Sequence, residues 1–462
     1  MLQFTTKLND LIWSKPMLFL ILGAGIFFTI ATRAVQFRKI KDMFHIMIDG
    51  KKSETGVSSV QAFMISAAGR VGTGNIAGVA TAITFGGPGA IFWMWVVALI
   101  GGATSFVECT LAQIYKVRST DGSEFRGGPS YYMSKGLGWR WLAVVFSAVA
   151  LFATTFCLHL PNISTLVDSV ESAYHVPRFA TTLIVAAAFA AIVFGGVKRI
   201  GAWAEKMVPL MSLIYVAACL IIIVLHISQL PAAIVLVFKC AFNLEAGFGS
   251  VAGLAVMWGI KRGLYSNEAG MGSAPNAAAT ADVSHPAKQG LVQMLSVFID
   301  TLLICSATAF MCLCSGVVPT KEAAGAAYVQ ASMQQALGNF GPIFIAVSMS
   351  LFAFTTLIGN YYYCEGCLKY ILRRDPSKAG MTVFRLAATA LVFVGAIVSA
   401  GLAWDTADML QGTMVIINIP VILILGNKGL AVLKDYMRQR KEGKNPEFHA
   451  ADIGITGTDY WN

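Results

Sequence analysis

Apolar stretches long enough to cross a bilayer follow one another along nearly the whole of this chain. Each needs roughly 17 to 25 residues as a helix to span a hydrocarbon core of about 30 Å. Segments such as Leu210 to Leu225 are apolar on every face, which excludes a barrel, whose strands alternate apolar and polar. The chain reads as an all-α integral membrane protein. Composition agrees: of 462 residues 56% are hydrophobic and 13% charged, a balance that would leave a soluble domain of this size covered in apolar surface.

Hydropathy and periodicity predict about eleven spans, near 17–32, 58–85, 89–115, 142–165, 179–196, 207–227, 247–282, 290–316, 341–366, 383–402 and 410–426. Lys and Arg are unequally shared between alternate loops. One set holds Arg33, Lys51, Lys52, Lys116, Arg126, Lys135, Lys198, Lys288, Lys369, Arg373 and Arg385 among many others, together with the basic tail. The opposite set holds only Lys7, Lys15, Arg178, Lys239 and Lys321. The positive-inside rule then puts the N-terminus outside and the tail in the cytoplasm of a cell-membrane protein. The net charge of +10 is spread over loops and forms no single patch, which speaks against nucleic acid. Most of the nine cysteines lie in apolar stretches; the single C-x-x-C, Cys364 and Cys367, lacks the paired spacing of a metal site. The first apolar stretch, with basic residues after it, reads as a retained anchor rather than a signal peptide.

Two spans are interrupted. Gly69-Arg70-Val71-Gly72-Thr73-Gly74-Asn75 breaks the second and Arg262-Gly263-Leu264-Tyr265-Ser266-Asn267-Glu268-Ala269-Gly270 the seventh. Glycine costs a helix about 1 kcal/mol against alanine, so these runs favour unwinding, and unwound backbone is tolerated at membrane depth only where it lines a cavity or binds something. Each break precedes a short half-helix of small residues, a Gly/Pro or His-Pro turn, and a long apolar helix. Five spans fall in each half, so the chain divides into 1–57 (an extra helix and a basic loop), 58–230 and 231–426 (two five-helix repeats of opposite orientation) and 427–462 (a tail). In carriers built this way the site lies where the broken helices meet.

The first break offers peptide N–H groups near Gly74 to a carboxylate and carbonyls near Ala68 and Val71 to a hard cation, with Asn75 able to hydrogen-bond a substrate. Helix packing is the alternative for the glycines. At the second break Glu268 and Asn267 are too expensive to face lipid; Glu268 pairs with Arg70 or with Arg262, as a structural bond or a gate. Asp300 reads as a hydrogen-bond anchor within its span. In the ninth span Thr355 and Thr356 stand side by side, where such hydroxyls commonly bond the carbonyl one turn back. Asn162, beside Pro161, faces inward from a kinked helix. The roles of Glu108 and Glu365 are not legible.

These residues resemble the alanine or glycine:cation symporter family, carriers of the LeuT-type fold. The resemblance covers most of the chain and is carried by Val71-Gly72-Thr73-Gly74-Asn75-Ile76-Ala77-Gly78, Gly127-Gly128-Pro129-Ser130-Tyr131-Tyr132-Met133, Arg262 to Gly270 and Phe352-Ala353-Phe354-Thr355-Thr356. It implies a 5+5 inverted repeat with one extra N-terminal helix. It also implies a substrate site at Thr73, Gly74 and Asn75, completed by Asn162, Tyr265 and Asn360. For sodium it implies the carbonyls of Ala68, Val71 and Phe352 with the hydroxyls of Thr355 and Thr356, an oxygen set suited to a small hard cation. Arg70 and Glu268 are the candidate gate or charge network. Two positions depart from the family pattern. Asn360 stands where many members have Trp, and Leu160 where many have Gln. The first widens the pocket and brings a larger substrate such as glutamine into range.

The expectation is sodium-coupled symport of a small neutral amino acid by alternating access, with sodium, substrate and lipid as partners; protein partners are not legible. A channel would need a ring of like residues. An enzyme would need a grouped acid, base and nucleophile, whereas His45, His159, His175, His226, His285 and His449 are scattered. Proton coupling through Glu268 is the nearer rival.

Overall fold

The computed structural model describes residues 2–48, 57–119, 122, 124–242 and 250–461. Lys51, Lys52 and the first residues of the span predicted at 247–282 lie outside the described residues, as do the side chains of Cys157 and Lys198. Among the described residues the chain is mainly helical, with one short antiparallel pair, β1 (Val117–Arg118) and β2 (Phe125–Arg126).

The order begins with α1 (Leu2–Ile12) and α2 (Lys15–Ala31), which meet at a bend of 45°. The first interrupted segment is α3 (Ser59–Arg70) followed by α4 (Val79–Gly86). Long helices follow: α5 (Gly89–Ile114), α6 (Arg140–Tyr174), α7 (Arg178–Val193), α8 (Gly196–Leu225) and α9 (Leu230–Phe242). The second interrupted segment is α10 (Ser250–Asn267) and α11 (Ala274–Ala278), and the chain goes on through α12 (Pro286–Cys314), α13 (Ala326–Leu337), α14 (Phe340–Leu372), α15 (Lys378–Ile397) and α16 (Ala400–Lys441). Among the described residues seven helices are continuous, long and apolar enough to cross a membrane, eight if α1 and α2 count as one bent span. Two of the expected spans fall short because they are broken, the second only from Glu268 onward, since α10 stays helical from Arg262 to Asn267; the span expected at 179–196 falls short because α7 has 16 residues.

Burial separates an inner set of helices from an outer one. In the most apolar window of α5, α12 and α14, 61% of residues are buried inside the protein, against 39% in α8 and 22% in α15. The outer helices turn large apolar side chains outward, such as Leu213, Leu220, Val383 and Leu386, which only lipid can accept. The inner helices carry the polar residues: Glu108, Gln113, Gln293, Asp300 and Asn360 are all buried.

Local chemistry explains the interruptions. Helix α3 starts on a capping box in which Ser58 and Gln61 bond each other's backbone N–H at 3.1 Å. It stops because Val71 adopts φ −77°, ψ 90°, an extended conformation, and the chain resumes as a widened turn over Gly74–Gly78. After α10, Glu268, Gly270 and Gly272 all take left-handed φ, at 56°, 86° and 83°. Gly270 and Gly272 meet that demand without a Cβ penalty, while Glu268 does so under strain. Widened turns also occur at Ala153–Cys157 in α6 and Ile299–Cys305 in α12; such bulges recur at functional sites.

Several elements were not anticipated from sequence. Helix α1 is too short to span and docks on α16, where Trp13 donates to the Asp408 carbonyl at 3.0 Å and Thr6 to the Asp405 carboxylate at 2.7 Å. Helices α9 and α13 occupy connections read as loops. The tail continues α16 far past the last predicted span, then folds back onto the protein.

Candidate functional site

The two breaks face each other across one buried cavity. Its walls include Arg70, Gly72, Thr73 and Gly74 from the first break and Tyr265, Glu268 and Met271 from the second. Leu158 and Asn162 of α6 and Thr356 and Asn360 of α14 complete it. The space left is about 10 Å³, room for a single water, so an amino acid enters only if the walls part.

Of the residues predicted for substrate, Thr73, Gly74, Asn162, Tyr265 and Asn360 line this cavity. The Thr73 hydroxyl donates to the Asn162 side-chain oxygen at 2.8 Å, and Asn162 in turn bonds the Leu158 carbonyl within its own helix. Tyr265 packs on Trp404 with ring centroids 4.9 Å apart. Asn360 is 1% exposed and neither end of its amide has a hydrogen-bond partner. Asn75 is placed differently: it does not line the cavity. Its oxygen accepts from the Gly72 N–H at 2.8 Å and its nitrogen donates to the Asp300 carboxylate at 2.6 Å. It therefore pins the break to the widened turn of α12. Asp300 also accepts from Ser266 at 3.1 Å and Thr301 at 2.8 Å, the hydrogen-bonded anchor that its position in the sequence suggested.

The predicted sodium ligands converge where α3 ends against α14. The Thr356 hydroxyl lies 3.5 Å from the Val71 carbonyl and 3.0 Å from that of Phe352, and the Thr355 hydroxyl lies 3.0 Å from the same Phe352 oxygen. Both hydroxyls thus make the ordinary bond one turn back, which uses the proton and leaves lone pairs for a cation. Close approach of the helices makes this corner possible. A Cβ at Gly72 would collide with the Thr356 hydroxyl, and one at Gly359 would sit 2.6 Å from the Gly69 nitrogen and 3.0 Å from the Ala68 carbonyl carbon. Ala68 is thereby held against α14 at the same level.

The charged residues are distributed more finely than sequence suggested. Arg262 pairs with Asp408, which Lys261 also reaches at 2.7 Å, so Arg262 is not the partner of Glu268. Arg70 donates to the Gln293 carbonyl at 3.0 Å and to Ser105 at 3.3 Å. Glu268 accepts from the Tyr363 hydroxyl at 3.4 Å. Arg70 and Glu268 share the cavity, and among the described residues no ion pair joins them. The role of Glu108 becomes plain: its carboxylate accepts from the Gly270 N–H at 3.0 Å and from Asn418 at 3.1 Å, while Asn418 also bonds the Gly270 carbonyl at 3.0 Å. It braces the second break from α5. An acid inside an apolar span marked the position, but its partners lie far away in sequence.

Residues 1–450 match the sodium:alanine symporter family. The chain belongs to that family. A putative sodium/proton-dependent alanine carrier of Bacillus subtilis is 47% identical over 100% of this chain and 98% of its own length. A probable sodium/glutamine symporter of the same organism is 44% identical over 96% of this chain and 92% of its own. A sodium/alanine symporter of Methanococcus maripaludis is 37% identical over 96% and 99%. Among solved structures the manganese transporter of Eremococcus coleocola superposes with a TM-score of 0.51 at 14% identity, over 87% of this chain and 81% of that one. This symporter chain therefore has a transporter fold, and its family is one of carriers rather than enzymes.

Proposed function

We propose that this protein carries a small neutral amino acid of the alanine or glycine class into the cell together with sodium, by alternating access. One observation carries the reading. Two broken helices meet at a buried cavity beside a corner where the Val71 and Phe352 carbonyls converge with the Thr355 and Thr356 hydroxyls. Sodium bound at that corner would tie the end of α3 to α14 and so shape the cavity for a zwitterion. Thr73, Gly74, Asn162, Tyr265 and Asn360 then contact the substrate, and Asn75 holds the break in register. Ala68 completes the sodium site. Arg70 and Glu268 form a charge network that gates the cavity. For a potential of about 100 mV and a roughly tenfold gradient, one sodium supplies ~2.3 plus ~1.4 kcal/mol, enough for several-hundredfold accumulation.

This reading includes an arrangement of about eleven spans, with an extra N-terminal helix in 1–57, inverted five-helix repeats in 58–230 and 231–426, and a tail at 427–462. The N-terminus is outside and the tail in the cytoplasm of the cell membrane. A larger substrate such as glutamine is the second reading, favoured by the unpartnered buried amide of Asn360: a site with an open donor and acceptor discriminates for a substrate that fills both. The deciding experiment is competition by a panel of unlabelled amino acids in proteoliposomes, with sodium, without it, and with a pH gradient alone. Uptake that needs sodium and is blocked best by alanine or glycine supports the first reading, and block by glutamine the second. Uptake driven by the pH gradient in sodium-free buffer would replace sodium by protons at Glu268.

A further inference from the structure

A second cavity, of about 30 Å³, lies farther along α14 towards the face of the basic loops, between Glu124, Arg126, Asn276, Thr280, Tyr362 and Lys369. Ion pairs tie its walls together: Arg126 reaches Glu124 at 2.6 Å and Asp375 at 2.5 Å, and Lys369 reaches Glu124 at 3.0 Å and Glu365 at 2.8 Å. Next to it, the end of the second broken segment is clasped from α5. Gln113 donates to the Ala278 and Ala281 carbonyls at 2.5 and 3.0 Å, and Lys116 to the Ala281 carbonyl at 2.9 Å. These are carbonyls that a terminating helix leaves open.

The segment after α16 returns over this clasp. The Trp461 indole, 5% exposed, donates to the Gln113 carbonyl at 2.7 Å. The Lys116 ammonium sits 4.2, 4.6 and 4.8 Å from the ring centres of Phe125, Tyr460 and Trp461. Burial pulls the Lys116 pKa down to about 7 and Asp282 pulls it back up; three ring faces at this range add a further pull towards the ammonium. Lys135 grips both carboxylate oxygens of Asp459 at 2.7 Å. Closer to α16, the Phe448 N–H and the Pro446 carbonyl bond Ser284 at 3.0 and 2.8 Å. The tail thus holds both clasping residues and, through Phe125, the strand whose next residue, Arg126, carries the ion network.

We propose that residues 446–461 are the bolt of the inner gate: through Gln113 and Lys116 they lock the end of the second broken segment against β2, and the cavity at Tyr362 and Lys369 opens to the basic-loop side only when they release. The proposal rests on the transport reading above and assigns gating residues to it. One buried indole among contacts such as the exposed Lys135–Asp459 pair, 28% and 52% exposed, makes a tether that can let go, since exposed ion pairs stabilise little.

The test is access to the second cavity. A Cβ at Gly366, in its wall, meets nothing within 4 Å, so Gly366→Cys adds a thiol there. The full chain carrying it is placed in lipid nanodiscs, which expose both faces, and treated with a membrane-impermeant maleimide; labelling is mapped by mass spectrometry against the parent protein as blank. Trp461→Ala is expected to speed labelling about 30-fold, the effect of losing a buried aromatic anchor. Lys135→Glu should speed it about threefold, and adding Asp459→Lys should restore the slow rate. Labelling at the parent rate in Trp461→Ala, or after deletion of 446–462, overturns the proposal. So does a parallel rise at Cys219, buried in α8, which would mean general loosening. Sodium-driven uptake by the parent in vesicles is scored separately: its absence, with bolt-dependent labelling intact, would defeat the symport reading and leave the bolt standing.

Discussion

The two breaks do the same topological job by different means. The first is short and extended only around Val71: Asn75 caps it and ties it to Asp300, Arg70 reaches Gln293 and Ser105, Thr73 reaches across to Asn162, and Gly72 lets it touch α14. The second is longer, passes through three left-handed residues, and is held from outside by Glu108 and Asn418. The difference teaches which one can answer to a ligand. The first break is tied to α12 through Asn75 and Arg70, but it meets α14 only at a corner of uncharged oxygens, the part an ion could draw together at least cost. A segment braced by a buried carboxylate on both its N–H and its neighbour's amide resists change, because each lost bond strands a polar group away from water. On the proposed reading the first break would answer to the ion and the second would hold still.

The strongest way to break this contrast is at Glu108. Glu108→Ala strands the Gly270 N–H and one of the two N–H groups of the Asn418 amide, at about 1 to 3 kcal/mol each, so we expect loss of monodisperse protein or a large fall in melting temperature in detergent. Glu108→Gln, which keeps an acceptor, should lose much less. A normal melting temperature for the alanine variant would show that the second break needs no brace. Next in size is Gly72→Ala, which forces a methyl onto the Thr356 hydroxyl. Overpacking of this kind costs about 1 to 3 kcal/mol, and the half-saturating sodium concentration for uptake should rise by at least about fivefold. Thr356→Ala removes one oxygen from the corner without moving the helices; sodium dependence should weaken about tenfold, a hydrogen-bond-sized loss to a charged partner. Unchanged sodium dependence of alanine uptake would remove Thr356 from the ion site. The smallest effect is expected from Thr73→Val, which loses only the bond to Asn162: about a fivefold rise in KM for the amino acid, with sodium dependence kept. A shift in sodium dependence as large as that of Thr356→Ala would mean that the two halves of the first break act as one unit.

Much of the site was legible because the signals were local. Three glycines within six residues beside Thr73 and Asn75 conflict with a membrane helix wherever they are placed, and so do the acid and amide at Glu268 and Asn267. Adjacent hydroxyls at Thr355 and Thr356 were not legible in this way, since such groups commonly bond the carbonyl one turn back; only the family resemblance marked that corner. Residues whose meaning lies in a distant partner were not legible. Asn75 reads in sequence as a substrate ligand, and only the Gly72 N–H and Asp300 beside it reveal that it ties its own break to α12. Glu108 braces Gly270 and Asn418, far along the chain in the second break and in α16. Glu268 was open to two arginines, and only the packing of α16 shows that Arg262 goes to Asp408 instead.

By itself the sequence determined the solvent of this protein, the places where its helices must fail, and the chemical character of what lines them, because hydropathy, glycine and buried polarity act within a few residues. The tertiary structure decided which buried polar group answers which, and that the tail folds back on the face of the basic loops. A hydrogen bond in an apolar interior is settled by whichever partner packing brings within about 3 Å, and that distance is a property of the assembled helices, not of any one of them.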